Sequence, residues 1–231
     1  MDINNSEPSV ILMSEMLLLD FLSKVFYQEP DEELISTIFE NNLFEEAPFA
    51  EEQESTCKAL EILLEWTKDN INKSLKEILK DIKYDYTRLF IGIGKVLAPP
   101  WESVYFNIDH LVFQEQTLEV RSWYRRFNIE PEKIYKEPDD HIGLELSFVS
   151  FLTQKALDAL NNSDHHEYEY YIHVKKQFLS EHVLNWAPHW CNLVVDNSIT
   201  DFYKGLALLC LGCLSSISHL YQVPISLEIR K

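Results

Sequence analysis

Apolar residues along this chain recur at the three- and four-residue steps of a helix, and almost nowhere at the two-residue step of a strand. From Val10 to Tyr27 they fall at Leu12, Met16, Leu19, Leu22 and Phe26, the core-facing stripe of a helix that Pro30 stops. Asp31 stands where it can cap a short second helix, striped by Leu34, Ile35, Ile38 and Phe39. A third, over 51–70, turns Cys57, Leu60, Leu63, Leu64 and Trp66 inward, and Ser74 with Glu77 three residues on makes a capping box for a fourth. The period resumes over 109–127, with Leu111, Val112, Leu118, Trp123 and Phe127 inside and Arg121, Arg125 and Arg126 facing water or acids. It continues over 139–160 and 164–184, then breaks at Trp186, Pro188 and Trp190. Ser198 with Asp201 predicts a second capping box before a helix to Tyr221 that is apolar on nearly all sides and suits the centre of a core.

Hairpins have little to be built from, since the chain holds 5 glycines and no Asn-Gly or Asp-Gly between alternating runs. The pattern predicts an all-α fold, a single helical domain of roughly eight to ten helices at ordinary lengths. The segment 128–138, NIEPEKIYKEP, has two prolines and no period, so it is the expected hinge between an N-terminal lobe (1–127) and a C-terminal lobe (139–231). Two stretches stand out from the helical pattern: 84–105, YDYTRLFIGIGKVLAPPWESVY, and 137–146, EPDDHIGLEL.

Charge narrows the partners. With 38 acidic against 20 basic residues the formal charge is -18, which repels phosphate backbones, so nucleic acid is not expected to bind. The same field draws cationic ligands inward. From Glu29 to Glu54 acids run with no Lys or Arg between Val25 and Cys57, which reads as a solvated surface before it reads as a patch for a basic ligand. The 4 cysteines outline no disulfide scaffold, the start MDINNSEPSV carries acids where a secretory signal carries Lys or Arg, and Lys204 and His219 interrupt the one long apolar run. A cytoplasmic protein with no stable membrane insertion is expected.

Several groups invite a chemical reading. Cys210 and Cys213 have C-x-x-C spacing, but lie mid-helix among leucines with no second pair, and read as inert core thiols. His165, Glu169 and His173 share a helix face too extended for a tight metal site, so no metal is expected. Gly92, Gly94 and Lys95 echo a phosphate loop without its spacing or its hydroxyl, leaving weak nucleotide binding as a minor possibility and no other cofactor. Asp139, Asp140 and His141 could cap the helix that follows them, take a guanidinium, or perform acid/base work. No nucleophile, metal set or cofactor loop accompanies them, so binding is the better functional use and an enzyme the lesser reading. Tyr86, Leu89, Phe90, Pro99, Pro100 and Trp101 supply an aromatic, apolar lining for a peptide with an arginine cluster and an apolar run; equally, each of them could simply close the core over the loop.

Five motifs in order, Y-x-x-L-F-x-G at Tyr86 to Gly92, A-P-P-W-E-S-V-Y at Ala98 to Tyr105, E-P-D-D-H-I-G-L-E-L at Glu137 to Leu146, H-V-L-N-W-A-P-H-W at His182 to Trp190 and D-F-Y-K-G-L-A at Asp201 to Ala207, resemble the TorD/DmsD family of chaperones that mature molybdenum-cofactor redox enzymes. The resemblance implies an all-helical, two-lobed cytoplasmic protein without catalytic activity. It would bind the twin-arginine signal peptide, the apoprotein, or both, of a molybdoenzyme of the DMSO/TMAO reductase type, delaying export until cofactor is loaded. The peptide-binding residues it implies are Tyr86, Leu89, Phe90, Pro100, Trp101, Ser103, Pro138, Asp140 and His141, and the oligomeric forms it implies are a monomer or a lobe-swapped homodimer. An acidic helical adaptor docking a basic protein through Glu40 to Glu54 is the alternative.

Overall fold

A computed structural model describes residues 7–49, 53–92, 94–131 and 137–226. Their regular structure is helical, and the only pairing of extended backbone among them is an isolated antiparallel bridge between Trp101 and His141. The helices are α1 (Pro8–Tyr27), α2 (Glu32–Glu40), α3 (Glu54–Asn70), α4 (Leu75–Tyr86), α5 (Ser103–Phe106), α6 (Glu115–Arg126), α7 (Ile142–Asn161), α8 (His165–Phe178), α9 (Leu184–Asn197) and α10 (Asp201–Tyr221). Two π-helical turns extend α4 and α8, over Thr87–Ile91 and Leu179–Val183. The all-α expectation is met.

The chain forms two compact units, and neither is a continuous half of the sequence. One comprises 28–99 and 189–216, the other 7–27, 100–188 and 217–226. The expected hinge at 128–138, whose residues 132–136 lie outside the described ones, therefore has both flanks in the same unit. The physical reason is aromatic packing between the helices it joins: Tyr124, tilted, and Phe127, edge-on, pack against Phe148, at centroid distances of 5.0 and 5.7 Å.

In the first unit, Asp31 caps α2 through the Leu34 N–H at 2.8 Å, and the Ser74–Glu77 capping box starts α4, both as the sequence predicts. On α3, however, Cys57 is exposed and Thr56, Ala59, Leu63 and Trp66 face inward. Glycines on α10 set this register: a β-carbon at Gly205 would lie 2.5 Å from Leu63, and one at Gly212 2.0 Å from Thr56 Oγ1. The predicted Ser198–Asp201 box is absent. Asp85, on α4, caps α10 instead, its buried carboxylate accepting from the Thr200 N–H (2.9 Å) and hydroxyl (2.6 Å) and from the Ile199 N–H (3.1 Å).

In the second unit α1 packs along α7, and Gly143 is the closest approach: a β-carbon there would meet Tyr27 Cβ at 2.6 Å and the Ser23 carbonyl at 2.9 Å. A fully buried network crosses this unit, with Lys175 Nζ 3.0 Å from Glu15, 3.2 Å from Thr153 and 2.7 Å from the Tyr221 hydroxyl. Helix α6 begins only at Glu115, so Leu111 precedes it and Leu118 lies on its exposed face; Thr117 takes the inner position because its hydroxyl donates to the buried Asp140 carboxylate. Pro188 does not break α9. Its missing N–H would leave the Leu184 carbonyl without a helical donor, and the Ser226 N–H supplies one at 3.1 Å.

Candidate functional site

Within the first unit, the Y-x-x-L-F-x-G motif is where α4 widens into a π-turn, a form of helix that recurs at functional sites. The Gly92 N–H closes it on the Thr87 carbonyl at 2.6 Å, with Gly92 at φ 84, a left-handed value glycine reaches without strain. The widening turns Tyr86, Leu89 and Phe90 into the core. Phe90 packs on Trp190 and Tyr203, with centroids 5.8 and 5.5 Å away, and the Leu89 carbonyl accepts from the Ala98 N–H at 2.9 Å. The loop that follows, of which Ile93 lies outside the described residues, leaves the C-terminal end of a helix, where carbonyls point outward. That polarity is opposite to the helix N-terminus that cradles phosphate.

Within the second unit, two motif stretches are stitched together. The Glu102 N–H donates to the Asp140 carbonyl (3.0 Å) and the Ile142 N–H to the Pro100 carbonyl (2.8 Å), the bridge that pairs Trp101 with His141. Asp140 completes the seam with both oxygens: one accepts from the Ser103 N–H at 2.7 Å, the other from the Thr117 hydroxyl at 2.7 Å. Asp139 pairs with Arg121, while its carbonyl accepts from the Tyr124 hydroxyl at 3.1 Å. The sequence reading opened α7 at Asp139; it opens at Ile142, and His141 is its cap, Nδ1 accepting from the Gly143 N–H at 3.0 Å. The two aspartates precede the helix and are wholly buried, engaged by this chain's own donors.

What the seam leaves accessible is aromatic. Trp101 is half-buried, and its indole Nε1 donates to Glu137 Oε1 at 2.7 Å. His141 lies edge-on to both Trp101 (6.1 Å) and Tyr27 (5.1 Å). Of the nine expected peptide contacts, the structure places Tyr86, Leu89 and Phe90 in one unit and Pro100, Trp101, Ser103, Pro138, Asp140 and His141 in the other; all but Trp101 are buried. Ser103 Oγ and Asp139 Oδ1 are buried without a hydrogen-bond partner. The sequence reading missed Glu137 as a site residue; its one signal was an indole N–H that needs an acceptor when half-buried.

It also missed a buried acid cluster behind this seam. Glu102 turns away from Trp101 to meet His182, Oε2 to Nδ1 at 2.9 Å. Burial pushes the Glu102 carboxyl up, against the pull of His182. Glu145 is pushed well up by burial and by the charges of Glu102 and Asp140, although the Trp186 indole donates to it at 3.0 Å. His182 sits on the second π-turn, and its partner lies 80 residues away, a pairing no local pattern encodes.

His165, Glu169 and His173 are exposed on α8, and among the described residues no three His, Cys, Asp or Glu side chains gather as a metal site. Cys210 and Cys213 are buried, and a contact with Cys191 together with burial pushes the Cys210 thiol well up, the state of an inert core thiol. Helix α10 is the one described helix long and apolar enough to cross a membrane, and 67% of that window is buried inside the protein.

The protein-family model described as nitrate reductase delta subunit matches residues 47–192, which contain both π-turns and both stretches joined by the seam. The chain belongs to that family. It is 28% identical over 213 residues to a probable Tat proofreading chaperone DmsD of Haemophilus influenzae, covering 90% of each chain. It is 29% identical over 143 residues to the Tat proofreading chaperone DmsD of Salmonella typhi, covering 62% of this chain and 63% of that one. With a chaperone protein TorD of Aliivibrio fischeri it shares 26% over 126 residues, covering 54% and 57%. The TorD/DmsD resemblance read from the motifs is thereby borne out, and these relatives carry the names of chaperones and not of enzymes.

Proposed function

We propose that this family member is a cytoplasmic redox-enzyme maturation chaperone that binds the twin-arginine signal peptide of a molybdoenzyme precursor, of the DMSO/TMAO reductase type, before export. The relatives named as Tat proofreading chaperones support this reading. The observation that carries it is the Trp101–Glu137 hydrogen bond at 2.7 Å: it joins the Pro-Pro-Trp stretch to the Glu-Pro-Asp-Asp-His stretch and presents a partly exposed indole beside a carboxylate. An indole face suits the apolar run of such a peptide, and an adjacent carboxylate suits its arginines. Ser103, Asp140, Pro138 and His141 hold that surface in shape, and Tyr86, Leu89 and Phe90 anchor the chain leading to it. Neither a nucleotide nor a metal has a part in this reading.

Calorimetry with synthetic signal peptides tests it. The expected result is binding that weakens as salt rises from about 50 to 300 mM, because the Debye length shrinks below the spacing of the charges, and that falls at least roughly tenfold for Trp101→Ala, the usual scale for a central aromatic anchor. Binding by no twin-arginine peptide, or binding indifferent to Trp101→Ala, would overturn it.

A further inference from the structure

The run 107–119 turns apolar side chains toward solvent. Ile108 is 94% exposed, and Leu111, Phe113 and Leu118 are exposed with it. Apolar residues scattered singly over a surface need no explanation, whereas several on one short run mark an interaction surface. The run lies wholly within the second unit and leads from α5 into the first turns of α6.

Its backbone is built to hold that display. The Asn107 side chain grips Leu111 twice, Oδ1 accepting from the Leu111 N–H at 2.8 Å and Nδ2 donating to the Leu111 carbonyl at 2.9 Å. His110 Nδ1 lies 2.9 Å from the Val104 carbonyl, and Gln114 Nε2 donates to the Val112 carbonyl at 2.9 Å. His110 and Phe113 have φ of 52 and 60, left-handed values that a side chain as bulky as phenylalanine rarely adopts. Strained positions of this kind gather at ligand-binding segments.

Charge decides the occupant. Asp109, Glu115 and Glu119 interleave with the apolar residues, are exposed, and enter no ion pair among the described residues. From Val96 to Val120 the sequence holds no Lys or Arg. A second copy of the chain, at a formal charge of -18, would bring the same acids against these, and an anionic lipid surface would repel them. A polypeptide whose apolar face is bordered by Lys or Arg meets both features of the run. A helix supplies that face, because its side chains at three- and four-residue steps lie together.

We propose that the run 107–119 is a docking surface for a basic amphipathic helix of a partner protein, separate from the Trp101 surface. Ile108, Leu111, Phe113 and Leu118 receive the apolar face of that helix, and the three acids receive its cationic borders. The inference does not depend on the twin-arginine reading.

The test follows the full chain binding a labelled helical peptide, with leucines on one face and lysines on the other, by fluorescence anisotropy. Salt is held at about 150 mM, where charges more than about 8 Å apart are screened. The parent should bind this probe and should not bind its counterpart with glutamate in place of lysine. Ile108→Ser/Phe113→Asn keeps every charge and should bind the probe roughly tenfold more weakly, the scale of apolar anchors. Asparagine tolerates the left-handed φ at 113, so this variant should melt no lower than the parent. Asp109→Asn/Glu115→Gln/Glu119→Gln keeps every apolar side chain, reads the same surface independently, and should weaken the probe about fivefold, the scale of a few exposed ion pairs. Trp101→Ala should leave probe affinity unchanged, and Ile108→Ser/Phe113→Asn should leave the affinity for a twin-arginine peptide unchanged. No probe binding, or equal binding by the parent and Ile108→Ser/Phe113→Asn, overturns the surface. A parent that sediments as a dimer, with that variant a monomer, overturns it in favour of a second copy. A twin-arginine peptide weakened as much as the probe by that variant overturns the separation of the two surfaces. The expected probe pattern without any binding of twin-arginine peptides supports this surface and removes the peptide reading.

Discussion

Replacing Asp140 separates a structural carboxylate from a ligand-binding one. Its two oxygens accept from the Ser103 N–H and the Thr117 hydroxyl, both at 2.7 Å and all three residues buried. Asp140→Ala strands both donors. Hydrogen bonds to a charged group contribute about 1.5–3 kcal/mol each, and a stranded buried donor carries its own desolvation cost. Allowing for some relaxation, the loss should be about 3–5 kcal/mol, a large share of the 5–15 kcal/mol typical of a folded domain. Thr117→Val removes one of the two bonds and should cost about half as much. Asp140→Asn keeps an acceptor for Ser103 and can donate to the Thr117 oxygen, so it should cost only about 1 kcal/mol. Urea unfolding followed by circular dichroism gives all three values. An Asp140→Ala variant within about 1 kcal/mol of the parent would refute the assignment, because a buried double acceptor cannot be removed so cheaply. The series also bears on binding. If the carboxylate only holds the loop, Asp140→Asn should bind signal peptide as the parent does; if it takes a peptide guanidinium directly, the same variant should lose affinity while staying folded.

Three further outcomes are expected. Gly143→Ala pushes a methyl into Tyr27 and the Ser23 carbonyl where α1 crosses α7, and thermal unfolding should show a loss of about 1–3 kcal/mol, the scale of overpacking. Lys175→Met leaves Glu15 buried without its cation, and denaturant unfolding should show a loss of about 3–5 kcal/mol, while Glu15→Gln/Lys175→Met should recover much of it. Glu145, pushed well above its ordinary 4.5 by burial, keeps its proton longer in the folded chain than in the unfolded one. Its stabilising contribution is therefore complete below 4.5 and is lost as pH rises toward the folded value. Glu145→Gln should flatten that decline, equal to the parent at pH about 4 and more stable than it at pH about 8 when melting is followed across pH.

Local rules made most of the fold legible, and failed wherever distant parts of the chain intervene. The caps of α2 and α4 are encoded within four residues, by Asp31 and by Ser74 with Glu77, and both could be read directly. The cap of α10 comes from Asp85, 115 residues before Thr200, so the local Ser198–Asp201 pair was a false signal. Likewise Thr117 points inward on α6 because Asp140 waits there, and apolar counting gave Leu118 the place that a hydrogen bond gives Thr117. The division into units escaped notice for a related reason: prolines near residue 131 look like a linker, yet Tyr124 and Phe127 fasten the helices across it to Phe148. Of the candidate site, the motifs at 98–105 and 137–146 named the segments that the seam joins. Which side chains stay accessible depends on the seam, and the seam needs Trp101, Glu137, Asp140 and His141 in three dimensions. The Glu102–His182 pair had no sequence signal at all.

The most direct test of the proposed site is to map where a peptide lies. A twin-arginine peptide with p-benzoylphenylalanine in its apolar run would be cross-linked to the chain by light and the adducts located by mass spectrometry. The expected adducts fall on the segment around Trp101 and on residues 137–141. Adducts confined to α2 or to the exposed face of α8, with none at Trp101, would contradict the site.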